Sequence, residues 1–279
     1  MSYRKWTEES SPYRHLEQHT VPELLQWMND EDRKVAEAVH ACLPVIAAFV
    51  ECAVPKMKEG ARLFYIGAGT SGRLGVVDAS ECPPTFGVPQ EWVQGIIAGG
   101  DGAIRKAVEY AEDSGTQAWK DLQAYYIQAQ DLVVGIAASG STPYVVEGLR
   151  HCRENGIATA CITSNPGSPV TQHADYAIEV LTGPEFITGS TRLKSGTAQK
   201  MILNMISTTI MIGLGRIRDN KMVDMQLTNH KLIRRGVNMI LQETTLTPEE
   251  AEHWLLKEGS VRAVLNQAAG QGWLRSSGI

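Results

Sequence analysis

At 279 residues, with 43% hydrophobic and 20% charged side chains, the chain is long enough for one large domain or a domain with a small appendage. Its net charge of −5 argues against general binding of nucleic acid or of a membrane surface, so any anion must be held locally by backbone dipoles and a few basic side chains. The stretch 1–18 is polar without an apolar core, and the longest apolar stretch, 41–54, is too short and interrupted to cross a bilayer, so a cytoplasmic protein is expected. The five cysteines, Cys42, Cys52, Cys82, Cys152 and Cys161, are odd in number and lack C-x-x-C spacing, which suits reduced thiols. Of the seven histidines only His15 and His19 have a helical ligand spacing, and no third ligand stands near them, so neither a metal nor a cofactor is expected.

Residues 1–20 read as an irregular arm. Helical apolar spacing follows over Val21–Asp30 and Asp32–Glu59, giving an N-terminal segment of arm and helices over 1–59. A central domain over 60–220 opens with a strand at Arg62–Ile66, which runs into the glycine turn Gly67-Ala68-Gly69-Thr70-Ser71-Gly72. Glycines there permit tight turning, and the hydroxyls of Thr70 and Ser71 join the free amides of the following helix, 71–79, to make a phosphate cradle. The same letters satisfy G-x-G-x-x-G, the dinucleotide fingerprint. That rival needs a full helix and an acidic residue about 20 positions on at the end of a second strand, whereas Pro83-Pro84 is expected to stop this helix early.

Further strands are predicted at Trp92–Ala98, Asp131–Ala137, Ala158–Thr163 and Tyr176–Val180, with helices near 101–124, 142–155 and 167–173. Such alternation implies an α/β fold with a doubly wound parallel sheet. The third strand ends in a second hydroxyl turn, Ser139-Gly140-Ser141-Thr142, before Pro143 at a helix start. Its hydroxyls serve equally as helix caps; two such loops after two buried strands point to a shared phosphate site at the carboxyl ends of adjacent parallel strands. A long helix over 191–217 is apolar nearly all round, as expected of one buried on several sides within the domain or between subunits. Residues 221–279 read as a small helical cap of three amphipathic helices, Asn229–Glu243, Pro248–Lys257 and Ser260–Gln267.

Carboxylates stand close to the loops in sequence. Glu109 and Glu112 are three apart and would share one face of the predicted 101–124 helix, a like-charge pair that costs stability unless it serves a ligand. Glu81 precedes Pro83-Pro84 shortly after the first loop. Each has a plain alternative, a solvated acidic face for the pair and a loop charge for Glu81. Together Glu81 and Glu112 make a general acid and base that could flank a bound sugar phosphate.

The strings 66–87, Ile97-Ala98-Gly99-Gly100, Glu109-Tyr110-Ala111-Glu112-Asp113-Ser114, 134–144, Asn165-Pro166-Gly167-Ser168, 188–200 and Met222-Val223-Asp224 closely resemble N-acetylmuramic acid 6-phosphate etherases, and also the related glucokinase regulatory proteins. Both belong to the sugar isomerase (SIS) fold, which is flavodoxin-like. The resemblance spans roughly residues 20–260. It implies a cytoplasmic homodimer that cleaves the lactyl ether of N-acetylmuramate 6-phosphate to N-acetylglucosamine 6-phosphate and D-lactate in cell-wall recycling. By place in the motifs, Glu81 matches the family's proton donor and Glu112 its second catalytic carboxylate. Substrate binding falls to Gly69, Thr70, Ser71, Gly72, Glu109, Ser139, Gly140, Ser141 and Thr142. The lactyl carboxylate needs a cation, for which Arg73, Arg192 and Lys194 are candidates, with Lys194 preferred at the start of the long helix.

Two other functions share these loops. A phosphosugar-binding regulator would use them without chemistry, but regulators of this kind resemble a tandem of SIS domains and this chain has room for one. A phosphosugar isomerase would need a carboxylate base and a ring-opening histidine, which His230 could supply.

Overall fold

The computed structural model describes residues 3–275. Two compact units emerge, Met1–Ser80 with Glu91–Ile210, and Glu81–Gln90 with Met211–Ile279.

The first unit is built on five strands, β1 (Leu63–Gly67), β2 (Val93–Ile97), β3 (Leu132–Ile136), β4 (Ala158–Thr163) and β5 (Tyr176–Glu179), paired in the order β2-β1-β3-β4-β5. All four pairings are parallel. β1 and β3 are buried along their whole length, as expected of strands covered on both faces, and this is why they read as unbroken apolar runs. Gly67 pairs with Ile136, so the turns that leave β1 and β3 stand side by side. From there the chain winds outward to β2 in one direction and to β4 in the other, which makes this the switch point where open α/β sheets hold ligands.

Helices cover the sheet with the expected periodicity. Leu122 and Ala118 of α5 (Gln117–Ala124) and Tyr144, Val145, Leu149 and Cys152 of α6 (Pro143–Glu154) close over Phe64, Ile66, Val133 and Cys161 in one core. α2 (Leu43–Lys58) packs along β5. α1 (Val21–Ala41) starts on a capping box of Thr20 and Glu23 and continues past Asp30, where the apolar spacing suggests a break. The break falls at Cys42 instead, and Pro44 stands in the first turn of the new helix, where its missing amide costs no bond.

Three other expectations are corrected. Pro83-Pro84 does not stop the first-loop helix, since α3 runs from Gly69 to Phe86. A proline lacks the amide that would bond the previous turn, but its own φ is helical, so two prolines in a last turn remove bonds without unwinding it. The helix ends at Gly87, at φ 63°, whose amide bonds the Pro83 carbonyl at 2.9 Å. The helix predicted over 101–124 is broken into α4 (Gly102–Arg105), a single 3₁₀ turn at Ala111–Asp113 and α5. Glu109 therefore lies in a turn, and it shares no helix face with Glu112. The segment 167–173 forms a 3₁₀ turn, Pro169–His173.

The long helix α7 is shorter than expected, Lys194–Gly213. Its start is fixed by the buried Glu185 carboxylate, which accepts from the Lys194 amide at 2.9 Å, the Ser195 amide at 3.0 Å and the Ser195 hydroxyl at 2.7 Å. Ala198, Ile202, Leu203, Ile206 and Ile210 are buried, while Lys200, Asn204 and Thr208 form an exposed stripe, so burial is one-sided in the protomer.

In the second unit α8 (His230–Glu243), α9 (Pro248–Glu258) and α10 (Val261–Gln271) enclose Val237, Ile240, Ala251, Leu255, Val261, Val264 and Leu265. Each start is capped, by Asn229, by the Thr247–Glu250 box and by Ser260. Arg262 fastens α10 to the preceding chain through Asp224 at 2.7 Å and the Gly215 carbonyl at 2.6 Å.

Candidate active site

The first loop is a helix start with its amides free for a ligand. Gly72 donates to the Ala68 carbonyl at 3.1 Å, so the amides of Gly69, Thr70 and Ser71 precede the first helical bond and point off the positive end of α3. Gly69 sits at φ 53°, which glycine adopts without strain. Gly72 has a packing reason, because a Cβ there would stand 2.6 Å from Ile97 Cγ1 and 2.7 Å from the Gly67 carbonyl oxygen. Ser71 is buried and its hydroxyl donates to Gln199 Oε1 of α7 at 3.0 Å, a brace that no motif in the sequence signals.

The second loop is pinned from below and open above. Asn165 donates to the Ser139 carbonyl at 3.1 Å and to the Thr7 hydroxyl at 2.9 Å, which brings the N-terminal arm under the loop. Ser164 donates its amide to the Ala138 carbonyl at 3.0 Å, and Val170 to the Gly140 carbonyl at 2.9 Å. Gly140, at φ 68°, leaves no room for a side chain, since a Cβ would meet Ser168 Oγ at 1.9 Å. Ser139 Oγ lies 3.5 Å from Thr142 Oγ1 and accepts from the Ser141 amide at 3.3 Å. No side-chain cap closes the start of α6, so its hydroxyls face outward beside the helix amides.

Beside the first loop lies a cavity of about 180 Å³ lined by Gly69, Arg73, Glu109, Tyr110 and Glu112 among alanines. Glu112 enters it from the 3₁₀ turn and Glu109 from the turn before. Arg73 donates Nε to the Ile104 carbonyl at 2.8 Å and Nη2 to the Ala103 carbonyl at 2.7 Å, so its charge is fixed at the cavity wall and holds α4 in place. Glu109 and Glu112 are both exposed. Glu81 is likewise exposed, on α3 in the segment that belongs to the second unit.

Lys194 is placed otherwise than expected. It is 2% exposed, and its ammonium is bonded to the buried Glu31 of α1, which also accepts from the Tyr13 hydroxyl at 3.1 Å and from Lys34. Desolvation pushes the Glu31 carboxyl up, but bonds from Lys194, Lys34 and Tyr13 outweigh it and leave Glu31 below the ordinary carboxylate range. An ammonium so engaged holds the fold rather than a ligand. Arg192 remains exposed, at a smaller cavity of about 130 Å³ lined also by Met28, Glu31, Asp32, Phe186 and Lys194. His230 is exposed at the start of α8 in the second unit.

The comparisons agree with this geometry. Residues 45–153 match the family model of the glucokinase regulatory protein N-terminal SIS domain, and residues 105–209 match the SIS domain. Among solved structures, phosphoheptose isomerases from Francisella tularensis (TM-score 0.52, 17% identity, covering 69% of this chain and 98% of that one) and Neisseria gonorrhoeae (TM-score 0.52, 17% identity, 68% and 98%) share the fold. An N-acetylmuramic acid 6-phosphate etherase of Christiangramia forsetii is 58% identical over 260 residues, 93% of this chain and 95% of its own. That of Bacteroides thetaiotaomicron is 56% identical over 265 residues, 95% of this chain and 96% of its own. Identity at this level over nearly the whole length of both chains, on a SIS sheet with both hydroxyl loops in place, shows that the chain belongs to the N-acetylmuramic acid 6-phosphate etherase family.

Proposed function

We propose that the protein cleaves the D-lactyl ether of N-acetylmuramate 6-phosphate to N-acetylglucosamine 6-phosphate and D-lactate, a carbon–oxygen lyase of cell-wall sugar recycling. The observation that carries the reading is the adjacency of the β1 and β3 loops at the sheet's switch point, in a chain so close to named etherases. The phosphate rests on the free amides of Gly69, Thr70 and Ser71, in a turn whose close packing Gly72 allows, and on the hydroxyls of Ser139, Ser141 and Thr142 around Gly140. Glu109 lines the sugar cavity, and Arg73 is the cation best placed there for an anionic group.

A simple ether resists water, so the chemistry must begin elsewhere on the sugar. With the ring open, the C1 aldehyde acidifies the C2 hydrogen. Glu112 removes that proton, the C3–O bond breaks, and Glu81 protonates the leaving lactate oxygen, which leaves an unsaturated aldehyde between C2 and C3. Glu81, now a carboxylate, activates the water that adds at C3, and C2 regains its proton.

Glu81→Gln and Glu112→Gln test the assignment. Each should leave phosphate binding nearly intact, because amides and hydroxyls hold the phosphate, while D-lactate release falls by at least ~10², the scale of one positioned acid or base. Glu112→Gln should also abolish C2 deuterium uptake from heavy water, whereas Glu81→Gln can retain it. Unchanged lactate release in both variants refutes the roles. We further propose that the enzyme works in the cytoplasm as a homodimer, a reading supported by the family and by the exposed Val21 and Leu25 side chains on α1.

A further inference from the structure

Tyr110 combines three features that packing does not explain. It occupies the left-handed region at φ 60° and ψ 2°, the N-terminal flank of the 3₁₀ turn that carries Glu112. It is the third residue of a turn closed by the Ala111 amide on the Val108 carbonyl at 3.4 Å, a position where glycine is the usual residue. A bulky side chain is strained there, and strain of this kind gathers at binding sites. The residue is nevertheless 83% exposed and lines the cavity with Glu109 and Glu112.

Tyr126 offers an internal contrast. It too is left-handed, at φ 54°, and exposed, but its carbonyl accepts from the Arg62 guanidinium at 2.8 Å, so its backbone conformation is used by the fold. The Tyr110 phenol makes no hydrogen bond among the described residues. Apart from it, the cavity offers only carboxylates, one guanidinium, small alkyl groups and backbone. None of these presents a flat apolar face to the C–H groups of a sugar.

We infer that Tyr110 is a binding residue whose ring takes the C–H face of the sugar at the mouth of the Glu112 cavity, an inference that rests on reading this cavity as the sugar site.

The test compares Tyr110→Gly and Tyr110→Phe in the full chain, with N-acetylmuramate 6-phosphate as the probe. Glycine suits the backbone, so Tyr110→Gly should keep or raise the melting temperature. Its KM should nevertheless rise roughly three- to tenfold with little change in kcat, the scale of one aromatic contact. Tyr110→Phe should restore the original KM, since the ring is kept. An unchanged KM in the glycine variant overturns the inference, as does a phenylalanine variant as impaired as the glycine one, which would place the effect in the hydroxyl. A glycine variant that changes oligomeric state at unchanged KM also overturns it, in favour of a contact between copies. The reading beneath it is tested apart: if Glu112→Gln still releases D-lactate at the original rate, the cavity is not the reacting site, whatever the Tyr110 variants do.

Discussion

Two buried carboxylates in the first unit titrate with opposite consequences for stability. Asp78 of α3 accepts from Ser207 Oγ at 3.1 Å and Asn204 Nδ2 at 3.2 Å, with Tyr65 and Lys200 near it, and burial pushes its carboxyl above the ordinary value of 3.8. A raised folded-state value means that the native protein holds the proton more tightly than the unfolded chain. This contribution is therefore full below the unfolded value and is lost as pH rises through the folded one. Asp78→Asn keeps Oδ1 for Ser207 and Asn204 and removes the charge, so it should raise the melting temperature at neutral pH, by a margin that shrinks in acid. An equal effect at both pH values would contradict this. Glu31 behaves in the other sense, because its folded value is lowered and its stabilisation is present above about pH 4.5 and lost as pH falls. Glu31→Ala would leave the Lys194 ammonium buried without its partner, which should cost about 3–5 kcal/mol in denaturant unfolding at pH 7.

The elements of the sheet are legible in the sequence because strands buried on both faces leave continuous apolar runs, and each predicted strand agrees with the observed one to within a residue at either end. The hydroxyl loops are legible for a related reason, since glycine, serine and threonine there answer to backbone geometry. The structure departs from the reading where tertiary contacts decide. Nothing local breaks the helix at Lys106; the 3₁₀ turn and the left-handed Tyr110 that present Glu112 belong to a wall of which Arg73 is part, and a guanidinium reaching carbonyls some 30 residues away leaves no periodic trace. The Lys194–Glu31 pair is equally silent, joining α7 to α1 across 163 residues. Gly72→Ala probes the loop at this scale. With Ile97 and the Gly67 carbonyl under 3 Å from the new methyl, α3 must lift from β1, so stability should drop by about 1–3 kcal/mol and phosphate affinity should fall with it. Retention of both by the variant would show that the loop does not depend on this close approach.

The molecule comprises one unit built on a SIS sheet with its two loops and a second, helical unit, and the proposed chemistry falls to Glu81 and Glu112. A homodimer should persist at micromolar concentration in sedimentation, and a monodisperse monomer would contradict that part. The central claim is that bound phosphosugar is cleaved rather than merely sensed or isomerised. The most direct measurement is incubation of the unmodified protein with N-acetylmuramate 6-phosphate, with D-lactate and N-acetylglucosamine 6-phosphate followed together. Equimolar release of the two is the predicted result, and a protein that binds the sugar phosphate yet releases no D-lactate would contradict it.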